Sequence, residues 1–186
     1  MHAMLPLTEL AALERIIACP EAGQGCIGVT APEAIAIADY IRKSKSPPEQ
    51  KRIYESAVEN AKIMASRTHS ESVPTPHPCA LKGEDNVCCV YGERPLRCRP
   101  LHAIAIARKA GAHSVQLAPS SPEALRQGHE ETVAQGIELG VTRALTSAGL
   151  DAKIYELNSA LATALAIPDA DERWAKGESL FLNPIV

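Results

Sequence analysis

Six cysteines dominate the chemistry open to this 186-residue chain: Cys19, Cys26, Cys79, Cys88, Cys89 and Cys98. Cys79, Cys89 and Cys98 stand ten and nine residues apart, and Cys88 forms a vicinal pair with Cys89. Thiolates are soft ligands that suit Zn2+ and iron–sulfur clusters. In a reducing cytoplasm, clustered cysteines point to metal or redox chemistry ahead of disulfides. Neither gap is the short C-x2-C of common zinc sites, so spacing alone leaves buried free thiols and disulfides open as readings. Arg94, Arg97 and Arg99 flank the cysteines. Guanidinium groups so placed are expected to offset the mutual repulsion of thiolates and to lower their pKa values.

Other residues near the cysteines carry weaker signals. His77 and His102 bracket the segment as alternative ligands, although a solvated or capping histidine is the more ordinary role. Tyr91 either shields a metal centre from water or fills an aromatic-poor core. Arg94 and Arg99 either balance thiolate charge and bind loop carbonyls, which is preferred, or take an anionic substrate or a nucleic-acid phosphate. His129 lies on an apolar stripe between Leu125 and Val133. It is expected to be a satisfied core histidine, with a hydrogen bond to a ligand thiolate as the alternative. His129-Glu130-Glu131 lacks the second histidine of the zinc-protease motif, and no G-x-G-x-x-G or G-x-S-x-G is present.

The elements that must position these residues read as helices. Aromatic residues make up only 3% of the chain, so the core should be aliphatic and Ala-rich, which favours close-packed helices. Leu10, Leu13 and Ile16/Ile17 give residues 7–18 a helical period, with Thr8 as cap. Thr30-Ala31-Pro32-Glu33 has the form of a capping box and opens a helix with Ala34, Ile37, Ala38 and Ile41 on one stripe. KSKSPP, residues 43–48, breaks it, and 48–67 is helical again. Residues 69–100 hold Pro74, Pro76, Pro78, Pro95 and Pro100, which excludes a long helix or a central strand. So long a connection is functional or disordered, and the cysteines argue for the first. Ser121-Pro122-Glu123 starts a helix that runs toward Gly149. Asp151 is expected to cap a helix carrying Ile154, Leu157, Leu161 and Leu165, and 170–177 forms a short last helix or turn. Trp174 and Phe181 are expected to dock on the body. The fold class is mainly α, a single helical domain over 1–186 wrapped around a long Cys/Pro-rich metal-binding loop.

Charge and length set outer bounds. The formal charge is −3, hydrophobic residues are 46% and charged residues 22%. Nucleic-acid binding through bulk basic charge is therefore disfavoured, and the composition is that of a folded domain. No apolar run reaches the roughly 18 residues a membrane-spanning helix needs. The N-terminus does not read as a signal peptide, so a cytoplasmic location is expected, with no membrane or nucleic-acid partner. An Ala-rich helical surface suits a homo-oligomer.

Residues 89–99 read Cys-Val-Tyr-Gly-Glu-Arg-Pro-Leu-Arg-Cys-Arg, the form C-x-Y-x2-R-P-x2-C-R. This segment resembles the signature of the YkgJ-type cysteine-cluster proteins, described as zinc- or iron-chelating. Cys79-Ala80-Leu81 matches the preceding element. Cys26, followed by Val29-Thr30-Ala31-Pro32-Glu33-Ala34, occupies the place of the family's N-terminal cysteine cluster and T-x-x-E helix. The resemblance covers residues 19–41 and 77–101. It departs from the family at the N-terminal cluster, where Cys19 and Cys26 alone stand in place of adjacent cysteines. The resemblance implies Cys26, Cys79, Cys89 and Cys98 as metal ligands, with Cys19 able to join or replace Cys26 and Cys88 as a bystander. Tyr91, Arg94, Arg99, His77 and His102 would surround the ligands. The expected cofactor is a 4Fe-4S iron–sulfur cluster, with zinc as the alternative. It would serve a structural or redox purpose, the latter with a redox partner protein. A thiol redox sensor, or a cluster-dependent enzyme of unknown substrate, is the other reading.

Overall fold

The structure, a computed structural model, describes residues 27–65, 79–83, 87–99 and 122–184, with the backbone alone for 122–128, 130 and 131. The expected helix over 7–18, and Cys19, Cys26, His77 and His102, lie outside the described residues.

The fold is mainly α. A short strand β1 (Gly28–Thr30) leads into helix α1 (Ala31–Ser44), and α2 (Pro47–Ala65) follows after a two-residue break. Helix α3 (Pro122–Ser147) precedes strand β2 (Ile154–Glu156), then come α4 (Leu157–Ala166) and α5 (Ala170–Ala175). The capping box forms as the sequence predicts. Glu33 Oε2 accepts hydrogen bonds from Thr30 N and Thr30 Oγ1, both at 2.8 Å. Ser46 and Glu49 repeat the arrangement at the start of α2, with Ser46 Oγ donating to Glu49 Oε2 at 2.6 Å.

α1 buries Ala34, Ile35, Ile37, Ala38 and Ile41 against α4, which contributes Leu157, Ala160, Leu161 and Ala164. α2 packs on α4 too and adds Ile53 and Ala57. Small residues on the facing stripes let the helices close on one another, and each fully buried aliphatic chain stabilises the fold by about 1.5–3 kcal/mol. Arg42 Nη2 donates to the carbonyls of Ala164 and Ile167, supplying the last turn of α4 with a cation and with donors for its unpaired carbonyls.

The strands are a departure from expectation. Asp151 does not cap a helix that includes Ile154. Instead Ile154–Glu156 pairs antiparallel with Gly28–Thr30, in the register Gly28↔Glu156, Val29↔Tyr155 and Thr30↔Ile154. The residues of both strands are buried, and β-branched and aromatic side chains fit such a site better than a helix start. Leu157 N donates to Ile27 O at 2.9 Å and carries the pairing one step further. The helix begins after the strand, and Glu156 caps it by accepting from Asn158 N at 3.0 Å and Ser159 N at 2.8 Å. Asp151 accepts from the Tyr155 hydroxyl at 2.6 Å. Burial and that carboxylate together raise the Tyr155 pKa well above the usual phenol value. Phe181 docks beside Tyr155, with ring centroids 5.3 Å apart, and Trp174 also packs on the core.

Helix α3 ends as predicted at Gly149, which takes φ 70° while Leu150 N donates to Leu145 O at 2.9 Å. Its side chains face water more than the sequence suggests. Val133, Ile137 and Leu139 are 46%, 47% and 50% exposed. His129, expected on a buried stripe, is exposed, because the half-buried face of α3 is the one bearing Ala134, Glu138, Val141 and Leu145. Among the described residues, no helix is long and apolar enough to cross a membrane.

Candidate cysteine site

Residues 79–83 and 87–90 pair antiparallel as a small hairpin, and two 3-10 turns follow in 91–98. Lys82 N donates to Cys79 O at 2.9 Å and makes the first turn. Lys82 and Cys88 form an antiparallel bridge, flanked by Gly83 N to Val87 O and Cys89 N to Leu81 O, both at 2.8 Å. Ala80, Leu81 and Val90 are buried in the helical core and pin the hairpin there. Arg52, on α2, adds a bond from Nη1 to Lys82 O at 3.2 Å. The hairpin thus holds Cys79 and Cys89 half-buried against the core and Cys88 buried, at 8% exposure.

The first 3-10 turn, Tyr91–Glu93, and the second, Leu96–Cys98, follow at once, joined by Arg94 and the buried Pro95. Cys98 is half-buried at the end of the second turn. Glu33 fixes this turn in space. While Oε2 caps α1, Oε1 accepts from Leu96 N at 2.9 Å. One carboxylate therefore joins the start of α1, two residues after Ile27-Gly28-Val29, to the turn that carries Cys98. Arg97 adds a forked ion pair with Glu138 on α3, at 2.7 and 2.8 Å. That pairing lowers the Glu138 pKa and raises that of Arg97. Gly28 is required beside this turn: a Cβ there would stand 2.7 Å from Ile154 Cγ2 and 3.1 Å from Arg97 Nη1.

Among the described residues, Cys79, Cys88, Cys89 and Cys98 form no disulfide with one another. The expected role of the flanking arginines needs correction at Cys89. Burial raises its pKa, and the cations that pull the other way are Lys45 and Arg52, from α1–α2, with Glu49 opposing them. Arg97 is committed to Glu138. Arg94 and Arg99 take up loop carbonyls, as preferred from the sequence. Arg94 Nε donates to Tyr91 O at 2.9 Å, and Arg99 Nη2 reaches Gly92 O at 3.5 Å. The Arg94 guanidinium lies 3.7 Å above the centroid of the Tyr91 ring, a cation–π stack. Its Nη1 is buried with no hydrogen-bond partner among the described residues. A buried donor left unpaired costs about 1–3 kcal/mol.

Among the described residues, no three His, Cys, Asp or Glu side chains form a group able to hold a metal ion. The described residues supply Cys79, Cys89 and Cys98 of the expected ligand set, and Cys26 lies outside them. Sequence reasoning singled out Tyr91, Arg94 and the Thr30–Glu33 box. It missed the second bond of Glu33, the Glu138 partner of Arg97, and the two cations beside Cys89. Each of these depends on residues distant in sequence, and no local pattern signals it. The chain matches no family model, no curated protein and no solved structure.

Proposed function

We propose that this chain is a metal-binding protein whose cysteine segment is fastened to the helices by one four-thiolate centre, an iron–sulfur cluster of the 4Fe-4S type ahead of zinc. Cys79, Cys89 and Cys98 would supply three thiolates and Cys26 the fourth, with Cys19 able to replace it. Cys88 stays a bystander in the buried strand of the hairpin. The donor set is soft and suits either metal. The likeness of residues 89–99 to the YkgJ-type signature supports the same ligands.

The observation that carries the choice of cluster is the buried Nη1 of Arg94. It is a strong donor, held rigidly over Tyr91 in the middle of the cysteine segment, and it has no acceptor among the described residues. A four-cysteine zinc site adds no acceptor atom beyond the thiolates themselves. An iron–sulfur cluster brings inorganic sulfides, and hydrogen bonds to its sulfurs are one of the means by which proteins set its reduction potential. When bound, such a cluster would supply one-electron chemistry or a purely structural cross-link. A redox role would require a partner protein that exchanges electrons with it. The vicinal Cys88–Cys89 pair supports a thiol sensor less well, since oxidation favours accessible thiolates and Cys88 is buried.

The test is purification without oxygen, with bound iron, acid-labile sulfide and zinc measured beside the visible spectrum. About four iron and four sulfide per chain, with brown colour, is the expected result. One zinc with no colour would replace the cluster by a structural zinc site. No metal would overturn the proposal.

A further inference from the structure

A cavity of about 520 Å³ lies between the α1–α2 junction and the cysteine hairpin, lined by Lys45, Glu49, Arg52, Gly83, Cys88 and Cys89, among others. Nothing in the metal reading uses Lys45 or Arg52. Both side chains are half-buried. Arg52 spends Nη1 on Lys82 O, which fixes its guanidinium at the cavity wall. Lys45 lies 5.9 Å from the centroid of the Tyr40 ring and makes no ion pair among the described residues. Glu49 is the one carboxylate among the described lining residues. Its Oε2 is taken by Ser46 Oγ and Ser46 N, at 2.6 and 3.1 Å, in the cap of α2. Two cations face one carboxylate among the described lining residues, so cations outnumber anions on this concave wall, and low-dielectric walls focus such a field. The volume falls within the range of small-molecule sites.

We propose that this cavity binds a small ligand through a phosphate or sulfate group, held by Lys45 and Arg52, with Cys88 and Cys89 also lining it. The cavity shares Cys89 with the proposed metal centre, but the anion contacts rest on Lys45 and Arg52, neither of which is a proposed metal ligand.

The 186-residue chain, as isolated, is melted over a range of inorganic phosphate concentrations, with ionic strength held constant by chloride. A ligand that binds the native state raises Tm with a saturable dependence on its concentration. The expected result is a saturable rise in phosphate that chloride does not reproduce, with the apparent Kd weakened at least tenfold in Lys45→Ala and the rise abolished in Lys45→Glu. Lys45 is the residue of choice because Arg52 also holds the hairpin. Lys51→Ala, on the exposed side of α2 in a loose pair with Glu55, is expected to bind as the native protein does. No saturable rise, or a rise that persists unchanged in both Lys45 variants, would overturn the proposal. Metal content is measured on the same samples. Phosphate binding without metal would sink the metal reading alone, and metal without Lys45-dependent binding would sink this one alone.

Discussion

Removing the Glu33 carboxylate tests the architecture of the cysteine segment most directly. Its two oxygens accept from Thr30 N, Thr30 Oγ1 and Leu96 N, at 2.8, 2.8 and 2.9 Å. The first two belong to a capping arrangement, worth about 0.5–2 kcal/mol. The third is a charge-assisted bond, in the range of about 1.5–3 kcal/mol. Glu33→Ala should therefore cost about 2–5 kcal/mol. For a chain of this size, where each kcal/mol moves the midpoint by about 2–4 °C, Tm should fall by about 4–20 °C. Glu33→Gln is also expected to destabilise, for a geometric reason. A glutamine offers one acceptor oxygen and one NH2 group, whereas backbone N–H groups face both ends of the Glu33 carboxylate. Whichever way the amide turns, one N–H of Thr30 or Leu96 meets a donor. Thr30→Ala, in contrast, loses the hydroxyl and keeps the Leu96 bond, so it should cost about 1 kcal/mol.

The melts need a local companion, because a worn helix cap alone also lowers Tm. Hydrogen exchange at the Leu96 amide supplies it. In Glu33→Ala this amide should exchange faster by more than the global loss of stability explains. In Thr30→Ala it should follow the global change. Cys98, two residues on, should become more reactive to alkylation in the first variant and not in the second. A Glu33→Ala protein within about 0.5 kcal/mol of the native one, or an unchanged Leu96 exchange rate, would refute the view that Glu33 ties the turn to α1.

Four further outcomes follow from the same geometry. Arg94→Met replaces the unpaired donor by an apolar chain and should lower iron incorporation; unchanged iron with a higher Tm would show that no cluster sulfur meets Arg94. Gly28→Ala should cost about 1–3 kcal/mol, the range for overpacking, since Ile154 Cγ2 would lie 2.7 Å from the new Cβ; a melt unchanged from the native one would contradict this. The Tyr155 pKa is raised in the folded state, so the stability tied to its protonation is complete below the usual phenol pKa of about 10 and is lost as pH rises above it; denaturant titrations from pH 8 to 11 should show that loss in the native protein and not in Tyr155→Phe. The Glu138 pKa is lowered from 4.5, so its contribution is present above that value and lost as pH falls through the folded pKa; Glu138→Gln should remove this dependence at a cost below about 1 kcal/mol, as the ion pair is partly exposed.

The parts of the fold that the sequence made legible are those with short-range causes. The Thr30–Glu33 box lies within one turn, and the apolar spacing of Ala34, Ile37, Ala38 and Ile41 needs only the helical period. Gly149 ends α3 through its own backbone freedom. The β1–β2 pair has no such local cause. Each strand is three residues long, and Ile154-Tyr155-Glu156 fits a helical stripe with Leu157 and Leu161 as well as it fits a strand. What decides is Gly28–Thr30, distant in sequence, which offers unpaired backbone groups in a buried place where they must be satisfied. The cysteine site follows the same division. The residue types, and the tight turns around Pro95, are written locally. The charges that act on Cys89 are not: the arginines near Cys98 in sequence turn toward Tyr91 O, Gly92 O and Glu138, while the cations that offset the raised Cys89 pKa are Lys45 and Arg52, at the end of α1 and on α2. Guanidinium groups find the nearest carbonyls and carboxylates first, so proximity in sequence is a poor guide to which cation a buried thiol meets. Glu33 shows why the two levels join here. A residue chosen to cap a helix has a second oxygen to spare, and the fold spends it on the backbone N–H of Leu96 in the turn that carries Cys98.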